Sequence, residues 1–287
     1  MTTDQTTEAK NRLRQKVWDR LDTAHAGRTG PVRGKIPNFH GADRAAEHLA
    51  AHPRWQSAQV VKANPDKAQT EVRLAAVQDG KLVYMAVPKI AGTDPFYLLD
   101  PHALTVPTHL AVTGAGAAEH APRTRPERMQ PVDVIVCGSV AVNHQGVRIG
   151  KGAGYSDIEM GLLAHAGLVH EHTLIVTTVH TLQVLDEPIP ETGHDVSVDL
   201  IVTPEGIITC PPRRRPTGII WEDLEEEKID SIPILQELRK FAASTGASEC
   251  GFEARRQWSP VPHRGSDGQA GCHADHWSDG NAIGQGK

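Results

Sequence analysis

A glycine-rich segment at residues 146–157 contains the residues whose types and spacing best fit chemistry. It reads GVRIGKGAGYSD and follows an apolar, β-branched run at residues 131–143. Such a run is typical of a strand buried on both faces. Glycines let the backbone approach an anion closely, and the N–H groups at the start of a following helix face it. With the cations Arg148 and Lys151 inside the loop, the pattern predicts a phosphate-binding site.

The residues after the loop predict a helix that begins near Ser156. Either Ser156 or Asp157 can cap it, and Ser156 with Glu159 three residues later fits a capping box. The loop is not a Walker A motif, because no Gly-Lys-Ser/Thr closes it. It is not a dinucleotide fingerprint either. In residues 150–154 a single residue separates the second glycine from the third, whereas the G-x-G-x-x-G motif requires two. A glycine-rich turn between packed elements remains the structural alternative.

The pattern Arg-x-Gly-x-Gly-x-Gly-Tyr-x-Asp at residues 148–157 resembles the signature of the 5-formyltetrahydrofolate cyclo-ligase (methenyltetrahydrofolate synthetase) family. The resemblance covers roughly residues 10–199. Members of that family use ATP and Mg²⁺ to close 5-formyltetrahydrofolate to its 5,10-methenyl form. The resemblance therefore implies a ligase that phosphorylates the formyl oxygen and then closes the ring, with ATP and a folate-like small molecule as its partners.

The resemblance also implies roles for individual residues. Arg148 and Lys151 are expected to be catalytic, since they would neutralise the charge of the transferred phosphoryl group. A Lys-x-x-x-Arg pair in the first helix is expected to reach the nucleotide, although the residues alone favour a solvated basic face. The implied ATP-binding residues are Lys10, Arg14, Arg148, Ile149, Gly150, Lys151, Gly152, Ala153, Gly154, Tyr155 and Ser156.

Two aspartates are the implied magnesium ligands, Asp157 and Asp195. Magnesium prefers one or two carboxylates together with phosphate oxygens and water. On the residues alone, Asp157 is equally well explained as a helix cap. The substrate-binding candidates are Tyr155, Lys62 and His180, and for His180 a polar strand end is an equal alternative.

Three positions depart from the family pattern. Ser156 stands where the family has a second tyrosine, and residues 137–143 read CGSVAVN where the strand usually ends Pro-Gly-x-x-Phe-Asp. Lys67 falls on the family's acidic substrate contact, and a lysine cannot accept the hydrogen bonds that a glutamate accepts. These departures indicate a divergent cyclo-ligase-like branch. They leave open a related enzyme with another small substrate and a nucleotide-binding protein without turnover.

The elements that would position these residues alternate along the chain. The sequence predicts helices at residues 10–21, 42–51, 70–78 and 233–243, strands at 59–63, 82–87, 172–179 and 194–203, and a hairpin-like addition at 206–209. This order predicts an α/β fold, a three-layer αβα sandwich with a mainly parallel, Rossmann-like sheet. Ligands of such sheets bind beyond the carboxyl ends of the strands. Residues 90–129 are expected to be irregular and to form one wall of the site.

Composition limits the remaining possibilities. The 287-residue chain has a net charge of −5, which implies no general affinity for nucleic acid. No apolar run approaches the about 18 residues of a membrane span, and the polar first 16 residues do not resemble a signal peptide. Scattered cysteines favour the cytoplasm. The expected organisation is a flexible N-terminus at 1–9, a cyclo-ligase-like domain at 10–246 and a disordered tail at 247–287, with no oligomeric state predicted.

Overall fold

The computed structural model describes residues 3–212, 215 and 217–245. The prediction for the tail lies outside these residues. The described strands are β1 (Val60–Ala63), β2 (Leu82–Ala86), β3 (Phe96–Leu99), β4 (Arg123–Thr124), β5 (Val134–Cys137), β6 (Ala141–Asn143), β7 (Arg148–Ile149), β8 (Leu174–Thr178), β9 (Val184–Leu185), β10 (Leu200–Thr203) and β11 (Gly206–Thr209).

The helices flank these strands on both sides. They are α1 (Thr3–Thr23), α2 (Ala42–Ala50), α3 (Pro53–Gln56), α4 (Thr70–Gln78), α5 (Thr108–Ala111), α6 (Gly114–His120), α7 (Tyr155–His165), α8 (Glu226–Ser231) and α9 (Pro233–Thr245). None of the helices in the described ranges is long and apolar enough to cross a membrane. The cysteines in these ranges, Cys137 and Cys210, are buried.

An eight-stranded sheet organises the fold, in the order β11-β10-β8-β5-β1-β2-β3-β4. Strands β10, β8, β5, β1 and β2 are parallel, while β11 at one end of the sheet and β3 and β4 at the other are antiparallel to their neighbours. From β1 the chain proceeds to β2 on one side and later to β5, β8 and β10 on the other. The strand order therefore reverses between β1 and β5, and that point is where α/β sheets of this kind bind ligands.

Both faces of the sheet are buried, which confirms the predicted three-layer α/β fold. Val134 and Val136 of β5 pack in one apolar cluster with residues of α2 and α4. Ile135 and Cys137 face the opposite side and pack with Met160 of α7. Because successive strand residues point to opposite faces, a continuous β-branched run is what a doubly covered strand requires.

A second sheet of three strands, in the order β7-β6-β9, stands beside the main one and is covered by α1. The apolar run at residues 131–143 consequently forms two strands, β5 and β6, rather than one. The chain leaves the main sheet at Gly138. A Cβ atom at this position would lie 2.8 Å from Asp66 Oδ2, so the loop after β1 approaches the backbone closely here.

Two expectations about the elements were wrong. Residues 90–129 are not irregular: β3 and β4 extend the sheet, and α5 and α6 cover its edge. Such short elements lack the length over which a hydrophobic period can be recognised. The first helix begins at Thr3 rather than at residue 10, and Thr6 is already buried in it.

Candidate functional site

The carboxyl ends of β1 and β5 meet at the reversal point of the sheet, and polar residues gather there. Lys62 and Asn64 come from the end of β1, Ser139 follows β5, and the glycine loop at residues 150–154 leads into α7. All of these except the loop are buried. The structure therefore brings the predicted loop to the edge at which such sheets bind ligands.

Arg148 lies on β7 beneath the glycine loop, with 4% of its surface exposed. Its guanidinium donates to the Gly138 carbonyl oxygen at 3.0 Å, to Ser139 Oγ at 3.2 Å and to Asp157 Oδ1 at 3.3 Å. An arginine stays protonated in proteins. Arg148 therefore places a fixed positive charge between the end of β5 and the start of α7.

The two predicted magnesium ligands, Asp157 and Asp195, lie close enough for the charge of one to affect the pKa of the other. Burial raises the pKa of Asp157, Arg148 opposes this shift, and the Asp195 carboxylate adds to it. Asp195 accepts from Lys10 Nζ at 2.5 Å and from Thr192 N at 2.6 Å. Burial opposes ionisation of Asp195, but the Lys10 ammonium and Thr192 hold its pKa below the usual value. The Asp195 charge therefore makes ionisation of Asp157 less favourable, and the role of both carboxylates as magnesium ligands stays a prediction.

The expected capping box of α7 was wrong. The N-cap is Gly154, at φ 71°, and no side chain caps the helix. Ser156 Oγ instead accepts from Asn64 Nδ2 at 3.0 Å, and Glu159 Oε2 accepts from Lys62 Nζ at 2.5 Å. Both side chains therefore form hydrogen bonds with β1 and the residues after it instead of capping the first turn of α7. The first-turn N–H groups of α7, which have no intrahelical acceptors, are therefore not capped by these side chains.

The basic pair on α1 is not a solvated face. Lys10 and Arg14 are both buried. Arg14 Nε donates to the Gly150 carbonyl oxygen at 2.7 Å, and the Arg14 guanidinium lies beside Gly152, where a Cβ would be 3.4 Å from Cζ. The first helix thus contacts the glycine loop through Arg14, and binding of a nucleotide by Lys10 and Arg14 stays a prediction.

Lys62 lies under the site as one half of a buried ion pair. It donates to Asn64 Oδ1 at 2.8 Å and to Glu159 at 2.5 Å, and only 1% of its surface is exposed. Burial raises the pKa of Glu159, and the Lys62 ammonium opposes this shift. The pair therefore ties β1 to α7, and a role for Lys62 in substrate binding stays a prediction.

The other two substrate-binding candidates have internal partners. His180 Nδ1 accepts from Leu182 N at 3.1 Å, and burial lowers the pKa of the imidazole, which favours its neutral form. Tyr155 packs against the apolar cluster around Ile90, with the Lys228 ammonium 4.2 Å from its ring centroid. Substrate contacts by these side chains also stay predictions.

Sequence reasoning missed an acidic residue that faces the site. Lys67, which falls on the family's acidic substrate contact, is exposed. The neighbouring Asp66 points inward instead, towards Gly138. Burial raises the pKa of Asp66, and the positive charge of Lys151 is the strongest opposing influence. An acidic residue three positions after the end of a buried strand was the available signal.

A second missed group is Gln69, which is fully buried. Its Nε2 donates to Thr178 Oγ1 at 3.2 Å, but Oε1 has no hydrogen-bond partner within the described ranges. A Cβ at Gly138 would lie 3.2 Å from this oxygen and 2.8 Å from Asp66 Oδ2. Two acceptor oxygens thus border one glycine at the end of β5.

We expect Gly138→Ala to destabilise the protein by about 1–3 kcal/mol, because the new methyl group would overlap Asp66 Oδ2 and crowd the buried Gln69 Oε1. Urea unfolding measures this effect. Gly114→Ala is the control, since a Cβ at Gly114 meets nothing within 4 Å and the residue opens α6. Equal unfolding midpoints for wild type and Gly138→Ala would contradict the close approach at Gly138.

Comparisons with known proteins give a consistent result. The sequence model of the 5-formyltetrahydrofolate cyclo-ligase family matches residues 6–204. A methenyltetrahydrofolate synthase domain-containing protein of Mus musculus is 35% identical over 245 residues, which cover 83% of this chain and 65% of that protein. This match covers more of the chain than the family model and therefore extends past residue 204. The homologous protein of Danio rerio is 36% identical, with 83% and 64% covered.

The chain thus spans slightly less than two thirds of the length of these relatives. A mitochondrial 5-formyltetrahydrofolate cyclo-ligase of Arabidopsis thaliana is 30% identical over 87 residues, 29% of this chain and 31% of that protein. Among solved structures, the 5,10-methenyltetrahydrofolate synthetase of Aquifex aeolicus aligns with a TM-score of 0.47 and 21% identity, over 71% of this chain and 94% of that chain.

Proposed function

Since the chain belongs to the 5-formyltetrahydrofolate cyclo-ligase family, we propose that it is an ATP- and Mg²⁺-dependent ligase that converts 5-formyltetrahydrofolate to 5,10-methenyltetrahydrofolate. The observation that carries the proposal is the glycine loop at residues 150–154. It lies at the reversal point of the sheet, and Arg14 and Arg148 lie beside it.

The loop offers what a triphosphate requires. The amides at the start of α7 have no side-chain cap, and the positive end of the helix dipole favours an anion there. Lys151 is exposed on the loop and can reach a phosphate oxygen. Arg148 is held rigidly below by three partners, so its charge needs no rearrangement when the phosphates bind.

The donor set also fits Mg²⁺. This cation is usually held through one or two carboxylates, with phosphate and water oxygens completing an octahedron. Asp157 and Asp195 would supply the carboxylates, and the pKa of Asp157 responds to the charge of Asp195. No group of three or more His, Cys, Asp or Glu that could hold a metal occurs in the part of the chain that the structure describes. A cation shared with ATP requires no such group. When bound, it would neutralise phosphate charge.

In this reaction the protein mainly positions the substrates and stabilises charge, and no protein side chain forms a covalent bond. The formyl oxygen attacks the γ-phosphorus and ADP leaves. The neighbouring folate nitrogen, N10, attacks the activated formyl carbon and loses its proton, and the carbon–oxygen bond breaks to release phosphate. Arg148, Lys151 and the loop amides would stabilise the charge on the transferred group.

Asp66 supports a folate-like substrate despite the lysine at position 67. The Asp66 carboxylate borders Gly138 and is partly exposed, whereas Gln69 is fully buried and has no surface to offer a substrate. The reduced pterin ring of a folate carries an amino group and a ring N–H, and these donors match an acceptor of this kind. The acceptor from position 66 would replace the one that position 67 lacks.

One observation favours the second candidate, a related enzyme with another phosphoryl acceptor. The aromatic surface next to the loop is small, since Ser156 binds Asn64 and the Tyr155 ring is contacted by Lys228. A substrate without a large ring system would suit this surface.

The test is the appearance of methenyltetrahydrofolate absorbance when the purified protein meets 5-formyltetrahydrofolate, ATP and Mg²⁺. We expect Asp157→Asn to raise the Mg²⁺ concentration for half-maximal rate by roughly tenfold, because one of the hard oxygen ligands is weakened. Asp186→Asn is the control, since the Asp186 side chain is fully exposed and forms an ion pair with His144.

The outcomes separate the candidates. MgATP binding without product would favour another substrate, and ATP hydrolysis with a panel of small acceptors would then identify its class. A protein that binds MgATP but hydrolyses none would be a nucleotide-binding protein without turnover. A protein that binds no MgATP would contradict the proposed function altogether.

A further inference from the structure

A segment beyond the residues matched by the family model packs directly on the glycine loop. It comprises residues 218–235, contains α8 and the start of α9, and is called the C-terminal strap here. The geometry points to the strap as part of the nucleotide-binding site. Lys228 is a positioning residue that fixes the conformation of the glycine loop. This inference rests on the proposed function, since it concerns the same loop.

The strap is seated on α7 by apolar packing. Ile229 and Ile232 of the strap form one buried cluster with Ile158 and Leu162 of α7. At Gly161 of α7 a Cβ would lie only 3.3 Å from the Gly218 carbonyl oxygen. The strap therefore has a fixed position relative to the helix whose first turn closes the loop.

Lys228 extends from this platform to the loop itself. Its Nζ donates to the Ala153 carbonyl oxygen at 3.1 Å and lies 4.2 Å from the centroid of the Tyr155 ring. The hydrogen bond and the cation–π contact fix the ammonium from two sides. Ala153 and Tyr155 flank Gly154, the N-cap of α7.

The direction of the Ala153 carbonyl matters for anion binding. A carbonyl oxygen that faced the phosphates would repel them. In a trans peptide the C=O of one residue and the N–H of the next point in opposite directions. By holding the Ala153 oxygen, Lys228 orients the Gly154 amide away from itself and fixes the left-handed turn at φ 71°.

A second cation does the same at the other end of the loop. Arg14 of α1 donates to the Gly150 carbonyl oxygen at 2.7 Å. Arg14 and Lys228 come from opposite ends of the described chain, and each binds one loop carbonyl. The loop is thus held open by two external cations, and its amides stay available to an anion.

The strap also contacts the other half of the candidate site. Asp223 Oδ2 lies 3.0 Å from His194 Nδ1, and His194 precedes Asp195. Both the glycine loop and the loop with the second carboxylate therefore touch the same segment. A strap that served stability alone would not need to meet both loops.

The test compares Lys228→Met, which keeps the aliphatic stem, with Lys228→Arg and Lys228→Gln in the full chain. Isothermal titration measures MgATP binding without folate, and steady-state kinetics measure kcat and the KM for ATP. Lys240→Met is the matched control, because Lys240 is an exposed lysine on α9.

We expect Lys228→Met to weaken MgATP binding and to raise the KM for ATP by about tenfold, the loss of one charge-assisted hydrogen bond. The value of kcat should stay within about twofold. Lys228→Arg should retain most of the affinity, and Lys228→Gln should be intermediate, since it keeps a donor without the charge. Lys240→Met should match wild type.

Three results would be decisive. If wild type binds no MgATP, the proposed function fails. If wild type binds MgATP and Lys228→Met binds it within twofold, the inference is overturned while the proposed function stands. If Lys228→Met does not fold, Lys228→Gln and hydrogen exchange of the loop amides give the answer, because exchange at residues 153–155 should be faster in that variant without nucleotide. Unchanged exchange and affinity in Lys228→Gln would also overturn the inference.

Discussion

Replacing Arg148 with methionine is expected to lower kcat/KM of the ATP-dependent reaction by about 10²–10³-fold, the usual cost of losing a preorganised charge at a reacting group. Arg148 is buried and bound by Gly138, Ser139 and Asp157. A methionine fills similar space but provides no charge and no donor. Initial rates of product formation at several ATP concentrations measure the loss.

Stability must be measured beside activity for this variant. Without Arg148 the Asp157 carboxylate loses its partner, and removing one partner of a buried ion pair costs about 3–5 kcal/mol. Arg148→Lys should recover part of the activity, since it restores the charge but not the fork that reaches both Gly138 and Ser139. Arg44→Met, at an exposed position of α2, is the control. A folded Arg148→Met enzyme with wild-type kinetics would exclude Arg148 from the site.

The large elements could be predicted because their signals are local. Every residue of β5 is buried, and its four residues are apolar. Four consecutive apolar residues are therefore enough to predict a strand that is buried on both faces. The glycine loop could be found for the same reason, since its glycines and cations are contiguous. Helix α4 has the bounds that its sequence predicts, 70–78.

The missed features depend on contacts between distant residues. Glu159 fails as a capping residue because Lys62, 97 residues earlier, takes its carboxylate. The chain from β5 to the loop passes through a small hairpin, β6 and β7, that no periodicity marks. Lys228 meets a loop 75 residues away. A sequence pattern shows which polar groups are present, but tertiary packing determines which hydrogen-bond partner each group has.

The same reasoning explains why position 67 was misleading. Register along the chain places Lys67 at the acidic contact of the family, yet the turn after β1 exposes Lys67 and directs Asp66 inward. A shift of one residue in a loop reverses which side chain faces the site. The conformation of this turn is held by a residue outside it, Arg73.

Arg73→Met is expected to lower the free energy of unfolding by about 3–5 kcal/mol, because several buried carbonyl oxygens would lose their hydrogen-bond donor at once. Arg73 is fully buried on α4. It donates to the carbonyl oxygens of Asn64 at 2.5 Å, Asp66 at 3.1 Å and Val112 at 2.8 Å. Burial lowers the pKa of Arg73 to about 10, so the guanidinium remains protonated at neutral pH. Urea unfolding with an unchanged m-value measures the effect.

The variant should also affect the two substrates differently. Arg73 binds the backbone of the turn that carries Asp66, whereas the glycine loop is held by Arg14 from another helix. The KM for the proposed folate substrate should therefore rise more than the KM for ATP. Arg73→Lys should recover little stability, since one ammonium cannot span carbonyls on both the 64–66 turn and residue 112. If both KM values rose equally, the turn after β1 would not serve the substrate separately, and Asp66 would lose its proposed role.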